Sequence, residues 1–355
     1  MNIFNHPSRD IPILFFTKIA FVSAIYSAMF FILNEQLFNY YDMADYMHCI
    51  PNDNSNITNL FYRQFICALG LNYMGSMSSA SAIIIASMMN SFMLITFYML
   101  LAPFLSRRGQ IIFILLLAFH PYLAIYFPRL YSDIFGSLGI LFITYYALGN
   151  KKIDILFIIG AFFLINLRGA LIPAFFCYAL FVFIQTYSNQ KKTSLKSILL
   201  MFVVFINFLI YKDFAESFMS FAIFSDQGFL VSVPKESPYF SADYPFFNPI
   251  LLLGFRESVS NLGFQQLFIA GNIIGIIYLI TSLTLVGIHF LGIIGLIKFA
   301  IVKHRFSLIS VLAIILIPLI AISHLRYLLP LIPLLLFGLV WMFFPKLEDL
   351  RSQKN

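Results

Sequence analysis

Long apolar stretches, separated by clusters of basic residues, are the feature that most constrains how this chain can fold. The first stretch runs from Ile11 to Leu33, and a helix needs about 20 apolar residues to cross a bilayer. It is too long for a signal-peptide core and lacks a small-x-small cleavage site, so we expect it to remain as the first spanning helix. Of the 355 residues, 61% are hydrophobic and 10% are charged, too little charge for a soluble surface. The sequence therefore predicts an all-α polytopic membrane protein.

The basic clusters determine the expected topology. Lysine and arginine concentrate on the cytoplasmic side of membrane proteins, so two successive clusters require an even number of crossings between them. The clusters are Arg107 and Arg108; Lys151 and Lys152; Lys191, Lys192 and Lys196; Lys298, Lys303 and Arg305; and Lys346, Arg351 and Lys354. This pattern predicts about ten transmembrane helices, with both termini in the cytoplasm.

The stretch from Ile153 to Ile184 must reverse, because lysines flank it on both sides. The reversal is expected at "NLRG", after an ascending arm of about 15 residues, or roughly 22 Å. That arm is shorter than a hydrocarbon core of roughly 30 Å. Arg168 is therefore expected near the outer interface, facing a cavity lined by water or protein.

Two more hairpins follow from the same rule. One runs from Ile111 to Leu148 and turns at "HPYLAIYFPRLYSD"; the other runs from Phe306 to Phe344 and turns at "SHLRY". The whole chain, 1–355, is expected to form a single membrane domain with outer loops at 34–78 and 212–263. Two points stay open: the stretch 264–296 could cross three times, and the short helix from Ile198 could be one turn longer or shorter.

Five arginines are expected on the outer side, most of them close to predicted helix ends. The planar guanidinium suits bidentate binding of phosphate or carboxylate, so the set indicates a cavity that binds an anion. The alternative is that these arginines pair with neighbouring acids such as Asp133 and Glu257. The five are Arg63, Arg129, Arg168, Arg256 and Arg326.

Two aspartates follow the first apolar stretch in "NYYDMADYMHC". Asp42 and Asp45 are three residues apart, so they would share one face of a helix close to the outer interface. Among tyrosines a carboxylate can act as a general base, with its neighbour orienting it or binding a hydroxyl. The alternative is a helix cap or a solvated turn.

Other chemistries lack their sequence signals. Glycine-rich phosphate loops, HExxH and CxxC are absent from the sequence, so neither ATP hydrolysis nor zinc chemistry is indicated. His48, His120 and His324 also fall on the outer side, but their flanks show no metal-ligand spacing. We expect these histidines to hydrogen-bond either to substrate or to the residues that hold it, with His120 and His324 as the substrate-binding candidates, and we expect no metal and no cofactor. A disulfide between Cys49 and Cys67 is left open.

Together these motifs resemble the GT-C superfamily of polytopic membrane glycosyltransferases. The resemblance rests on "YYDMADYMH" after the first helix, "HPYLAIYFPRLYSD" between two helices, the reversal "NLRG" and the closing "HLRYLLPLIPLLLFGL". It covers nearly the whole chain, although Asp-x-x-Asp replaces the adjacent Asp-Glu of one large branch. It implies transfer of a sugar, with inversion, from a polyprenyl-phosphate donor to a lipid-linked or surface glycan on the outer side of a bacterial inner membrane.

The resemblance also implies roles for individual residues. Asp42 would be the base, with Asp45 as the second candidate. Arg168 and Arg326 would hold the lipid phosphate, and Arg129 with Asp133 would shape the sugar pocket. The remaining substrate-binding candidates are Arg63, His120, Arg256 and His324. The implied partners are the donor, the acceptor and membrane lipid, with no nucleic acid.

Two other functions stay open on the sequence alone. A polymerase of O-antigen or capsule repeat units also acts on lipid-linked sugars at the outer face, and Arg256 in a long outer loop fits it. A lipid-linked glycan flippase or transporter would carry out no chemistry and would be expected to show internal repeats.

Overall fold

A computed structural model describes residues 10–33, 78–130, 133–149, 153–190, 195–210, 273–315 and 328–346. These residues are mostly helical and contain no β-strand, apart from one isolated bridge between Leu105 and Pro345. The α-helices are α1 Asp10–Leu33, α2 Ser79–Leu101, α3 Arg107–Phe119, α4 Pro121–Ile125, α5 Asp133–Leu148, α6 Ile155–Leu167, α7 Ile172–Gln190, α8 Leu195–Ile210, α9 Ile273–Val302 and α10 Ile332–Phe343. Short 3₁₀ helices occupy Ala102–Phe104, Gly169–Leu171, Phe306–Ile315 and Leu329–Leu331.

Four segments of the described chain are long and apolar enough to cross a membrane: Asp10–Ser27, Ala80–Phe104, Gly169–Ser188 and Thr284–Val302. Four shorter apolar helices accompany them: Asp133–Leu148, Ile155–Leu167, Leu195–Asn207 and Leu329–Phe343. Large apolar side chains such as Phe16, Phe163 and Phe202 are exposed on these helices, as expected for surfaces that face lipid. The long apolar helices indicate a membrane-embedded all-α protein.

One end of the bundle is rich in basic residues, and we call it the basic end. Arg107, at the start of α3, forms an ion pair with Asp10 at the start of α1, and Tyr98 donates to the same carboxylate at 2.8 Å. Nearby, the backbone N–H of Ser106 donates to the carbonyl of Phe344 after α10. The starts of α1 and α3 and the ends of α2 and α10 therefore meet at this end.

Helices α5 and α6 form an antiparallel hairpin that is tied at both ends. At one end Tyr146 donates to the carboxylate of Asp154 at 3.0 Å. At the other end Arg168 donates to Asp133 at 2.7 Å. This second tie lies opposite the basic end, because Gly136 contacts Pro330. Pro330 lies two residues before the 12-residue helix α10, which is about 18 Å long and ends at the basic end. We call the end that holds the second tie the cleft end.

The reversal expected at "NLRG" is present. Helix α6 ends at Leu167 with Arg168 as its C-cap in an extended conformation, and α7 begins at Ile172. The ring of Phe157 stacks on Tyr178 at 5.0 Å, a contact that is only reachable if α7 runs back along α6. The ascending arm has 13 residues, close to the length predicted.

The segment "HPYLAIYFPRLYSD" also turns as expected, and it does so through a broken helix. Pro121 follows His120 directly and cannot donate the N–H that would continue α3. The short helix α4 begins there with His120 as its N-cap, and Leu123 N–H donates to His120 Nδ1 at 3.4 Å. A turn from Tyr126 to Leu130 then leads to α5 at Asp133.

Helices α9 and α10 pack on each other more extensively than any other described pair. Their backbones touch where Gly292 and Gly295 of α9 face Leu335 and Gly338 of α10. Small residues allow such close approach between membrane helices. Below this contact Phe299 packs edge-on against Phe337 at 5.0 Å. The order of these contacts shows that the two helices run in the same direction.

Candidate functional site

The cleft end brings together two residues that are 35 positions apart in the sequence. Asp133 is the first residue of α5 and Arg168 follows the last residue of α6, so the antiparallel hairpin places them side by side. Their ion pair joins Arg168 Nη2 to Asp133 Oδ1 at 2.7 Å. The side chains are 14% and 5% exposed, respectively. Such a partly buried pair holds both groups in fixed positions, because removing one partner leaves the other charge poorly solvated.

Arg129 lies in the turn between α4 and α5. Its backbone N–H donates to the carbonyl of Tyr126 at 3.2 Å, which closes the turn. Its side chain is 3% exposed, donates from Nε to the hydroxyl of Tyr26 at 3.1 Å, and lies over the ring of Tyr126 at 5.5 Å from the ring centre. The guanidinium is therefore held by an aromatic face and a hydroxyl.

A cleft opens beside these residues. Its enclosed part has a volume of about 40 Å³, room for a few water molecules, and it opens to the surface. Its walls come from α2, α4, the following turn, α5 and the segment before α10. The lining residues are Asn90, Leu123, Tyr126, Arg129, Asp133, Ile134, Ser137 and Leu329.

The charges around the cleft favour an anion. Among the described side chains here, two guanidinium groups, Arg129 and Arg168, accompany one carboxylate, Asp133. Asn90, whose side chain donates to the carbonyl of Phe127 at 2.9 Å, and Ser137 add neutral hydrogen-bonding groups. A guanidinium binds phosphate strongly, and carboxylate, amide and hydroxyl groups suit the hydroxyls of a sugar. The arrangement can therefore bind a small molecule that carries both.

The structure thus groups Arg129, Asp133 and Arg168, all of which the sequence indicated. It also shows that Arg168 pairs with Asp133, the alternative that the sequence left open for the arginines. Asn90, Tyr126, Ser137 and Tyr26 were not indicated by the sequence, because a single polar or aromatic residue in an apolar helix gives no signal of the residue it meets.

His120 lies in the interior instead of beside the substrate groups expected for it. It is 4% exposed, and its Nε2 lies 3.0 Å from Nε2 of His289 in α9. His120 precedes Leu123, a wall of the cleft, by one turn of helix. Hydrogen bonding between His120 and substrate stays a prediction, and the contacts that the structure shows for this side chain are to protein groups.

The other predicted site residues, Asp42, Asp45, Arg63, Arg256, His324 and Arg326, lie outside the described residues, as do Cys49 and Cys67. The same holds for the outer loop 212–263 and for the loop 34–78 except Ser78. Within the described ranges no group of three or more His, Cys, Asp or Glu side chains is placed to hold a metal ion.

We expect the Asp133–Arg168 pair to behave as one unit in stability measurements. Asp133→Asn and Arg168→Met should each lower the free energy of unfolding by about 2 kcal/mol, because each leaves a partly buried partner unsatisfied. The double variant should lose clearly less than the sum, and chemical denaturation in detergent micelles checks this. Asp10→Asn with Arg107→Met is the matched control, since the Arg107 side chain is 56% exposed and its coupling should be smaller. Additive effects at Asp133 and Arg168 would contradict the ion pair.

Comparisons of the chain with models of known protein families, with curated proteins and with solved structures find no match. The fold and the cleft together define the class: an all-α membrane-embedded protein with a polar cleft, lined by Arg129, at one end of its helix bundle.

Proposed function

We propose that the protein is an inverting membrane glycosyltransferase of the GT-C type, which moves a sugar from a polyprenyl-phosphate donor to a lipid-linked or surface glycan acceptor. The observation that carries the proposal is the cleft lined by the buried Arg129 and Asp133, with Arg168 as the ion-pair partner of Asp133. The sequence motifs "YYDMADYMH" and "HLRYLLPLIPLLLFGL" support the same class of enzyme.

The donor combines the chemical groups that the cleft can bind. Its phosphate is an anion for the guanidinium of Arg129, with Arg168 close by and already oriented by Asp133. Its sugar hydroxyls can donate to Asp133 and Ser137. Its polyprenyl chain is apolar and can lie along the helices in the lipid.

The reaction needs little more than positioning and electrostatics. A hydroxyl oxygen of the acceptor attacks the anomeric carbon, the bond from that carbon to the phosphate oxygen breaks, and polyprenyl phosphate leaves with the bonding electrons. The hydroxyl proton passes to a carboxylate, for which Asp42 is the first candidate and Asp45 the second. Arginines stabilise the charge that develops on the departing phosphate.

The remaining residues have supporting roles in the proposal. Arg326 would join Arg129 and Arg168 in holding the lipid phosphate, and Arg63, Arg256 and His324 would contact donor or acceptor. The enzyme would lie in a bacterial cytoplasmic membrane, with about ten spanning helices, both termini in the cytoplasm and the cleft facing the outside. It would use no cofactor.

Transport of a lipid-linked glycan is the second candidate, favoured by a particular observation. Lys18, His120 and His289 are buried within apolar helices, and the helix from α3 to α4 is broken at His120. Ionisable residues and broken helices inside a membrane are typical of transport pathways. The enzyme ranks first because the arginines lie at a cleft beside one end of the bundle.

Reconstitution separates these functions. The purified full-length protein is placed in proteoliposomes with radiolabelled polyprenyl-phosphate monosaccharides and a crude lipid-linked glycan acceptor. Transfer of single sugars supports the proposal, and lower transfer by Asp42→Asn or Asp45→Asn identifies the base. Lengthening of lipid-linked oligosaccharides with inert monosaccharide donors would indicate the polymerase. Movement of a fluorescent lipid-linked glycan across the bilayer without chemistry would indicate the transporter.

A further inference from the structure

Lys18 is a buried cation in the first helix that the proposed reaction does not use. It is 2% exposed and lies eight residues after Asp10 in α1, about 12 Å from the basic end. An ionisable side chain at that depth is costly in an apolar bundle unless it is fully hydrogen-bonded. Its partners therefore explain why it is there.

The partners of Lys18 are all backbone carbonyls at the broken end of α3. Nζ donates to the carbonyls of Leu117 at 3.1 Å, Ala118 at 3.2 Å and His120 at 3.4 Å. The carbonyl of Leu117 would accept from the residue four positions later, but that residue is Pro121, which has no N–H. An ammonium group has three N–H donors and is attracted to the negative end of a helix dipole. Lys18 thus caps the end that Pro121 leaves open.

A histidine pair fixes the other side of the same break. His120 Nδ1 accepts from Leu123 N–H, so its proton lies on Nε2 and is donated to Nε2 of His289 at 3.0 Å. The pair therefore connects the start of α4 to α9.

These contacts lie directly below the cleft. Helix α4 has only five residues, and it carries Leu123 of the cleft wall into the turn with Tyr126 and Arg129. A helix of this length is not stable without tertiary contacts. Its direction, and hence the position of Arg129, depends on how the break at His120 and Pro121 is held.

We propose that Lys18 is a positioning residue of the cleft: by capping the broken end of α3, together with the His120–His289 pair, it holds α4 and places Arg129 for binding the donor phosphate. The proposal rests on the proposed function, because it takes the cleft as the site that binds the donor. Lys18 itself touches no substrate, and it acts through α4 and the turn that follows.

Cysteine labelling tests the proposal without any substrate. The native cysteines Cys49, Cys67 and Cys177 are replaced by serine, and a single cysteine is introduced by Leu123→Cys on α4 or by Ser137→Cys on α5. Both positions line the cleft and are partly exposed. The labelling rate with a charged methanethiosulfonate reagent is then measured in proteoliposomes, with and without Lys18→Met.

We expect Lys18→Met to change the rate at Leu123→Cys by about tenfold, the effect of losing one charge-assisted hydrogen bond on a local opening equilibrium. The rate at Ser137→Cys should change by less than about twofold, because the hydrogen bonds of Lys18 go to the end of α3 and not to α5. Lys18→Arg keeps the charge and the donors and should label at nearly the parental rate.

Three results would overturn the proposal. Unchanged labelling at both positions would show that Lys18 does not hold α4. An equal increase in the labelling rate at both positions would show general loosening of the bundle. If Lys18→Arg changed the labelling rate at Leu123→Cys as much as Lys18→Met does, the charge and the N–H donors of Lys18 would not be what holds α4. If Lys18→Met cannot be purified folded, Lys18→Gln and His289→Gln replace it with the same expectations. Because no donor is present, a negative result here is independent of whether the protein transfers sugar.

Discussion

Arg129→Gln is expected to lower the rate of sugar transfer by about 10²- to 10³-fold, the loss seen when one preorganised donor to a developing charge is removed. Arg129 lines the cleft, and its guanidinium is held by Tyr26 and Tyr126. Glutamine can still hydrogen-bond in this setting but carries no charge. The affected step is departure of the phosphate, so the rate constant should fall more than donor affinity. Initial rates at saturating donor check this.

Arg129→Lys separates charge from shape. A lysine keeps the positive charge but lacks the planar fork that binds two phosphate oxygens and stacks on an aromatic ring. We expect an intermediate loss of about tenfold to 30-fold. Arg108→Gln is the matched control, because Arg108 is exposed at the basic end, and transfer should stay within about twofold of wild type. Equal rates for Arg129→Gln and Arg108→Gln would remove Arg129 from the donor site.

Gly295→Leu is expected to prevent recovery of folded protein, the largest effect on stability anywhere in the described chain. A Cβ at Gly295 would collide with the backbone carbonyl oxygen of Gly338, and backbone atoms cannot move aside as a side chain can. The collision would force α9 and α10 apart and lose the packing of Phe299 against Phe337 and Trp341. We expect a cost above about 4 kcal/mol.

Gly287→Leu provides the control on the same helix. Within the part of the chain that the structure describes, no heavy atom outside the backbone of α9 lies within 4 Å of a Cβ placed at Gly287, so the larger side chain should be accommodated. The measurement is the monodisperse fraction and the thermal midpoint in detergent. Similar yields and midpoints for the two variants would contradict the close contact between α9 and α10.

The sequence predicted those parts of the fold that depend on local composition. Apolar stretches and basic clusters predicted α1 and the reversal at Arg168. The positions of the helix and of the reversal both follow from the cost of placing charge in lipid. The turn after His120 was indicated by Pro121. The predicted count of about ten spans is not confirmed, since the described chain contains four helices of spanning length and four shorter apolar ones.

The site was predicted only in part, because its remaining contacts join distant residues. The family resemblance assigned Arg129 and Asp133 to one pocket, and the hairpin placed Arg168 near the outer interface. The contact between His120 and His289 joins residues 169 positions apart, and local sequence gives no information on such a pairing. Lys18 was a further signal, since a cation within an apolar helix requires buried partners.

The most direct test of the account is sugar transfer from a polyprenyl-phosphate monosaccharide by wild-type protein, Arg129→Gln and Arg108→Gln in parallel proteoliposomes. We expect transfer by wild type and Arg108→Gln, and a rate lower by about 10²-fold or more for Arg129→Gln at equal amounts of folded protein. Absence of transfer by the wild-type protein across donors, or full activity of Arg129→Gln, would contradict it.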